Sequence, residues 1–155
     1  MEIFVFSSES LTNIWAGIGA RLWAVASTDD VSSAASRKTK SQKMSVGSFG
    51  ILYCNATHSL TTPFVVYSKP DLDQRITNVW PEPNGWVLPF RIFPLGTPDR
   101  QLVKDRAKAI LPIFKRTGKN NFGHVFSVQA VTVFSPTKIE SDDWEILISE
   151  LASRN

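Results

Sequence analysis

The sequence predicts an α+β fold in which a curved, barrel-like mixed sheet is flanked by helices. The chain has 155 residues, the size of one domain. Apolar residues make up 43% of it and charged residues 20%, as in soluble globular proteins. Short β-rich runs alternate with amphipathic segments, and neighbouring strands are joined by hairpins rather than by regular crossovers. We therefore expect residues 1–155 to form a single domain.

Several classes of protein are disfavoured by composition. The one cysteine, Cys54, allows neither an intrachain disulfide nor a cysteine-based zinc site, and two histidines disfavour a His-rich metal site. No apolar run approaches the ~20 residues that a membrane span needs, and the N-terminus lacks the features of a signal peptide. The composition therefore predicts a protein without membrane segment, metal or cofactor, and it fits a reducing cytosol.

The first elements are assigned from hydrophobic periodicity. A strand over 3–6 precedes a helix that starts in the polar residues 7–10, and a second strand covers 22–26. Gly17 and Gly19 each weaken that helix by about 1 kcal/mol relative to Ala. They indicate close packing or an early helix end.

The rest of the chain is assigned by the same patterns. Residues 27–43 are polar and predict a long, mobile loop with room for one helical turn. The other expected elements are a hairpin of strands over 49–55 and 62–67, a loop over 70–85, a strand over 86–95 interrupted by Pro89, a helix starting at Thr97-Pro98-Asp99, a basic loop over 115–123, a last strand over 125–134, and a final helix capped at 141–143.

Catalytic patterns are weak in this sequence. It contains no nucleophile elbow of the form G-x-S-x-G and no phosphate-cradling glycine loop. His58 and His124 fit surface or hydrogen-bonded histidines, Cys54 fits a core position, and the acids at 142–145 fit a helix start. We therefore expect a binding domain rather than an enzyme.

Basic residues concentrate in two segments, 37–43 and 100–119, in a chain of net charge +3. Each segment alone fits a solvated face, whereas both together in a Trp-rich domain fit a groove that neutralises phosphates. The candidate phosphate-binding residues are Arg37, Lys38, Lys40, Lys43, Lys115, Arg116 and Lys119.

Two of the five tryptophans invite a functional interpretation. Trp23 opens a strand, and Trp80 lies in a Pro-rich loop just before Pro81, where a core role explains it poorly. A pair of Trp rings from different loops can sandwich a base, and stacking contributes ~1–3 kcal/mol per base. The alternative is that both rings pack in the core.

Residues 6–14, followed by Leu22-Trp23-Ala24, resemble the opening of YTH domains. Ser8, Asn13 and Trp23 fall where that family has its Ser, its base-contacting Asn and its first cage Trp. The segment Lys43 to Tyr53, and Val79-Trp80-Pro81 before Leu88 to Ile92, are similar to EVE and related PUA-like domains. The resemblance covers roughly residues 3–95.

The resemblance implies a PUA-like (EVE/YTH) curved mixed β-barrel with flanking helices. It also implies a modified base that is flipped out of its strand into an aromatic cage. Trp23 and Trp80 would be the walls of this cage, with Trp86 as the alternative second wall. Asn13 would bond the base edge, while Ser8 and the Ala24 backbone would line the pocket.

Two departures from the family pattern influence the expected ligand. The Lys that precedes the Ser in the family is Ser7 here, and a position often occupied by Asn is Glu9. A carboxylate accepts hydrogen bonds from the N4 group of cytosine, so Glu9 favours a cytosine derivative.

The leading hypothesis is a reader of 5-methylcytosine, 5-hydroxymethylcytosine or N6-methyladenine in DNA. It would be the specificity domain of a modification-dependent (type IV) restriction endonuclease in a prokaryotic cytoplasm, with a fused or separate nuclease or NTPase subunit. Three alternatives stay open: a reader of N6-methyladenine in RNA, a small nucleotide-acting enzyme that uses Glu9, and a domain that docks a protein through Trp80.

Overall fold

A computed structural model describes residues 1–81, 85–129 and 132–153 of the chain. It confirms the α+β class. The strands of this part are β1 (Glu2–Ser8), β2 (Leu22–Ala26), β3 (Phe49–Cys54), β4 (Ser59–Val66), β5 (Arg75–Ile76), β6 (Trp86–Pro94), β7 (Gln101–Val103) and β8 (Thr137–Lys138). The helices are α1 (Leu11–Ala20), α2 (Val31–Ser41), α3 (Lys104–Ile110), α4 (Pro112–Thr117), α5 (Phe122–Phe126) and α6 (Ser141–Leu151).

The strands form one mixed, curved sheet in the order β2-β6-β4-β3-β1-β8, with β5 added to β6 and β7 to β4. β1 and β3 run parallel, and the other pairs are antiparallel. Register shifts between Trp23 and Val25 and between Gly50 and Leu52 bend the sheet locally. No pairing among the described residues joins β2 to β8, so the sheet is open at its ends.

The sheet separates two hydrophobic cores. Along β1, Phe4 and Phe6 face the first core, whereas Ile3 and Val5 face the second. The first core contains Ile14 of α1, and residues from α3 to α6 close the second. Because of this alternation, α1 and the helices α3 to α6 pack on opposite faces of the sheet.

Helix α2 corrects the prediction of a mobile loop over residues 27–43. The Asp30 carboxylate caps the helix by accepting from the Ser33 backbone N–H at 2.8 Å. Ser41 is the one residue of α2 that is buried, so the helix carries no apolar stripe that periodicity could detect.

Three further expectations in the second half of the chain are corrected. Residues 97–100 form a turn, with the Arg100 N–H donating to the Thr97 carbonyl at 3.2 Å, and the helix starts later, at Lys104. The predicted basic loop over 115–123 contains the end of α4 and the start of α5. The first two residues of the strand predicted over 125–134 belong to the helix α5. The Asn121 side chain caps this helix by accepting from the His124 backbone N–H at 3.2 Å.

Other predicted elements are confirmed with small shifts of their ends. They are β1, α1, β2, the β3–β4 hairpin, β6 and α6. Residues 82–84 of the predicted loop and residues 130–131 of the predicted last strand lie outside the described part. None of the described helices has the length and apolarity to cross a bilayer.

Candidate functional site

A cavity of about 310 Å³ opens where the end of β1 meets β2 and the start of β6. We call it the tryptophan pocket. Its lining residues are Phe6, Ser7, Ser8, Glu9, Asn13, Trp23, Ala24, Val25, Ala26, Arg37, Trp86 and Val133. The volume lies at the lower end of the ~300–1,000 Å³ typical of small-molecule sites, so the pocket suits one planar ring system.

The pocket brings together six of the seven residues that the sequence singled out for base binding. Trp23 and Trp86 are its aromatic residues from β2 and β6, and the other four are Ser8, Glu9, Asn13 and Ala24. These side chains come from the C-terminal end of β1, from α1 and from the β2–β6 pair, so they meet through the fold and not through sequence proximity.

Trp80 lies elsewhere than predicted. It is buried behind the pocket, 4% exposed, and it is not among the lining residues. Its indole Nε1–H donates to the Asn13 carbonyl at 2.9 Å, and its ring meets Trp23 edge-on, with centroids 5.7 Å apart. Trp80 is therefore a packing residue, although its Pro-rich surroundings in the sequence indicated an exposed side chain. Trp86, the alternative second wall that the resemblance allowed, is the other tryptophan that lines the pocket beside Trp23.

Trp23 is held rigidly on both sides. Trp80 packs against it, and Gly17 of α1 lies under its six-membered ring. A Cβ atom at Gly17 would come within 2.7 Å of that ring, so only glycine permits this approach. The close packing that the glycines of α1 predicted thus occurs at Gly17, against the Trp23 wall of the pocket.

Trp86 is less constrained than Trp23. It is half-buried, and its ring lies 5.2 Å from that of Trp80 at 49°. Its Nε1–H is buried and has no hydrogen-bond partner among the described residues. Buried donors are rarely left unpaired, so this one is available to an acceptor on a ligand or a trapped water.

Asn13 provides a polar edge to the pocket. Asn13 is 6% exposed. Its backbone N–H donates to the Ser10 hydroxyl at 3.2 Å, and its backbone carbonyl accepts from the Trp80 indole. Ser8 is also buried, with its hydroxyl donating to the Ser10 carbonyl at 3.3 Å. The start of α1 thus fixes an amide, which both donates and accepts, beside the aromatic walls.

Opposite charges border the pocket. The exposed Glu9 carboxylate accepts from Asn55 Nδ2 at 3.1 Å, and Arg37 Nη1 donates to the Ala26 carbonyl at 2.9 Å. Arg37 reaches this place from α2 and was expected only as a phosphate contact. The remaining lining residues, Phe6, Ser7, Val25, Ala26 and Val133, carry no distinctive chemistry and were not identified from the sequence.

The two basic segments do not meet. Arg37, Lys38, Lys40 and Lys43 lie on or just after α2, whose Arg37 borders the pocket. Lys115, Arg116 and Lys119 lie on or just after α4, whose apolar residues pack in the second core across the sheet. A single groove made of both segments is therefore not formed.

Arg116 has a structural role. It pairs with Asp142 at 3.5 Å and with the fully buried carboxylate of Asp143. The hydrogen bond to Asp143 raises the pKa of the Arg116 guanidinium. We assign Arg116 to the anchoring of α4 on α6 rather than to phosphate binding.

The other chemically reactive side chains lie apart from the pocket. Cys54 is buried, while His58 and His124 are exposed. Within the ranges that the structure describes, no three His, Cys, Asp or Glu side chains come together as metal ligands.

Comparisons with known proteins identify the fold. No protein-family model matches the chain, and no curated protein matches it by sequence. The Pho92 YTH domain, solved in complex with m6A, matches with a TM-score of 0.64 at 14% identity, over 99% of this chain and 85% of that one. The YTH domain of Zygosaccharomyces rouxii MRB1, solved with N6-methyladenosine RNA, matches with a TM-score of 0.57 at 15% identity, over 99% and 89%. The MmI1 YTH domain matches with a TM-score of 0.57 at 15% identity, over 96% of both chains. The chain therefore shares the fold of YTH domains at low sequence identity.

Proposed function

We propose that the chain is a reader of a methylated base and binds N6-methyladenine of RNA in the tryptophan pocket. The observation that supports this most is the pocket itself, in which Trp23, Trp86 and Asn13 surround a space for one base. Two domains of the same fold, those of Pho92 and MRB1, were solved with m6A and with N6-methyladenosine RNA.

The pocket offers each interaction that such a ligand needs. The indole rings of Trp23 and Trp86 give a base apolar surfaces, and Asn13 gives its edge a donor and an acceptor. A methyl group buried against the rings contributes about 0.8 kcal/mol, which alone gives roughly a fourfold preference over the unmodified base. Closer packing of the methyl adds to this value, so we expect a preference of about fivefold or more.

Glu9 supports a second candidate, a cytosine derivative in DNA. Its carboxylate lines the pocket and accepts from Asn55 at one oxygen, and a carboxylate has further lone pairs to accept another hydrogen bond. The N4 group of 5-methylcytosine would be such a donor. The restriction endonuclease, its nuclease or NTPase partner, the nucleotide-acting enzyme and the prokaryotic cytoplasm stay predictions of the sequence.

A binding panel at one fixed salt concentration tests the proposal. Fluorescence anisotropy is measured with RNA that differs only in the N6-methyl group, and with DNA duplexes that carry cytosine, 5-methylcytosine, 5-hydroxymethylcytosine, adenine or N6-methyladenine. We expect methylated RNA to bind best. A preference for a modified cytosine would move the function to the second candidate, and equal affinity across the panel would refute both.

Glu9→Gln separates the two candidates further. If the pocket takes methyladenine through Trp23, Trp86 and Asn13, this variant keeps its affinity for methylated RNA within about threefold. If a cytosine derivative donates to the carboxylate, loss of that charge-assisted bond weakens binding to modified DNA by about tenfold or more. The same anisotropy measurement reports both results.

A further inference from the structure

The outer face of the β4–β6 pair carries exposed aromatic and basic side chains. Val65 pairs with Phe93, and the Tyr67 N–H donates to the Arg91 carbonyl at 2.8 Å. Because side chains alternate along strands, these four residues share the face opposite to the first core. Phe93 is 50% exposed and Tyr67 is 66% exposed.

The helical layer covers only part of this face. Phe49 of β3 pairs with Val65, and its ring packs against Trp144 of α6 with centroids 4.9 Å apart. Helix α6 therefore covers β3 here, and it also contacts β4. Tyr67, which follows β4, and Phe93 of β6 are nevertheless exposed to solvent.

Cations surround the exposed rings. The guanidinium of Arg21 lies over the Phe93 ring, 5.5 Å from its centroid. Arg21, Lys69 and Arg91 also line an adjoining cavity of about 520 Å³. Lys69 Nζ donates to the Gln42 carbonyl at 2.5 Å, so it lies beside the basic end of α2.

One acid lies among the described residues that line this cavity, Asp71. Its Oδ1 accepts from the backbone N–H groups of Asp73 at 2.9 Å and Gln74 at 3.1 Å, within its own turn. The cavity wall therefore carries three cations and one carboxylate that is engaged locally.

We propose that Arg21, Tyr67, Lys69, Arg91 and Phe93 form a second binding surface, the stacking face, which binds single-stranded nucleic acid. Exposed aromatic rings interleaved with cations are what single strands bind, because bases stack on the rings and on guanidinium planes while phosphates pair with the cations. The positive charge favours this occupant over an apolar protein segment.

The stacking face goes beyond the proposed function, because it needs no modified base. Arg91 lies five residues from Trp86 along β6, roughly 16 Å at a rise of ~3.3 Å per residue. Because first-core residues line the tryptophan pocket, the two surfaces lie on opposite faces of the sheet, and variants of one surface can be tested without altering the other.

Anisotropy with a single-stranded 12-nucleotide RNA, with and without one N6-methyladenine, tests this surface over a range of salt concentrations. We expect Phe93→Leu, which keeps an apolar side chain but removes the ring, to weaken binding of both RNAs by about fivefold or more. Arg91→Ala should do the same and lower the salt slope by about 0.7. The methyl preference should not change, and Trp15→Leu, which removes an exposed ring from α1, should bind as wild type.

The failure of this inference is distinguishable from that of the proposed function. Wild-type protein without methyl preference would refute the methyl reader, whereas the stacking face is judged on unmodified RNA alone. Affinities of Phe93→Leu and Arg91→Ala within twofold of wild type, with unchanged melting temperatures, would overturn the stacking face. Absence of any binding to single strands would overturn it as well.

Discussion

The tryptophan pocket depends on three tryptophans in three different surroundings. Trp23 is locked by its neighbours, and Trp80 supports it from behind. Trp86 lines the pocket, and its indole N–H has no hydrogen-bond partner in the described part of the chain. Of the three, Trp86 has the most freedom to adjust to a ligand. Removal of its ring should therefore affect binding more than folding.

We expect Trp86→Ala to weaken binding of the methylated ligand by about tenfold or more, because one stacking wall is lost. Binding of the unmodified RNA should fall less, so the methyl preference should shrink. Trp15→Ala is the matched control, since Trp15 is 44% exposed on α1 and does not line the pocket. Anisotropy with the methylated and unmodified RNA measures both variants. An unchanged methyl preference in Trp86→Ala would contradict the assignment of this wall.

The sequence predicted some of these residues and not others for a physical reason. Ser8, Asn13 and Trp23 lie on the consecutive elements β1, α1 and β2, and the resemblance to YTH domains predicted that they line one pocket. Trp80 and Trp86 are six residues apart in the sequence, and their different positions depend on tertiary packing. The hydrogen bond from Trp80 to Asn13 joins residues 67 positions apart, which no local pattern reveals.

At the scale of elements, α1 and β2 act as one unit that places Trp23. The ring lies directly over Gly17, while a Cβ atom at Gly19 would meet no heavy atom within 4 Å. The two glycines of one helix therefore have opposite consequences. Gly17 permits the close approach of α1 to β2, and Gly19 only lowers helix stability.

We expect Gly17→Ala to lower the free energy of unfolding by about 1–3 kcal/mol, because the new methyl group pushes the buried ring of Trp23 aside. Ligand affinity should fall with it. Gly19→Ala should instead raise the free energy of unfolding by up to about 1 kcal/mol and leave binding unchanged. Urea unfolding and anisotropy on both variants check this pair, and equal behaviour of the two would contradict the packing of α1 on Trp23.

Elements with an apolar pattern were predictable, and elements without one were not. The strand β6 has a nearly continuous apolar run, and the helix α6 has apolar residues at helical spacing. The helix α2 lacks a buried face and is stabilised by its cap, so the composition of its residues is like that of a polar loop. The predicted last strand failed because Phe122, Val125 and Phe126 bury one side of the short helix α5.

At the scale of the whole molecule, the tryptophan pocket and the α3–α6 layer lie on opposite faces of one sheet. Asp143 holds that layer together. Its buried carboxylate accepts from Ile113 N at 2.8 Å, from Glu140 N at 2.9 Å and from the Arg116 guanidinium. One side chain thereby joins α4 to the start of α6, far from the pocket.

We expect Asp143→Ala to lower the free energy of unfolding by about 3–5 kcal/mol, since it leaves a buried N–H and a cation without their acceptor. Asp142→Ala removes the neighbouring, more exposed carboxylate and should cost about 1 kcal/mol or less. Folded Asp143→Ala at low temperature should retain the methyl preference, because the pocket lies across the sheet. Urea titrations give the stability difference, and similar values for the two variants would contradict the anchoring role of Asp143.

The measurement that tests the central claim most directly is an NMR titration of the indole N–H signals with N6-methyladenosine. Five tryptophans give five signals, which the single Trp variants assign. If the base enters the tryptophan pocket, the signals of Trp23 and Trp86 shift with a common dissociation constant and that of Trp15 does not. Adenosine should shift them only at higher concentration. If the signals of Trp23 and Trp86 stay unmoved while the RNA still binds, the base lies elsewhere and the account of the pocket is wrong.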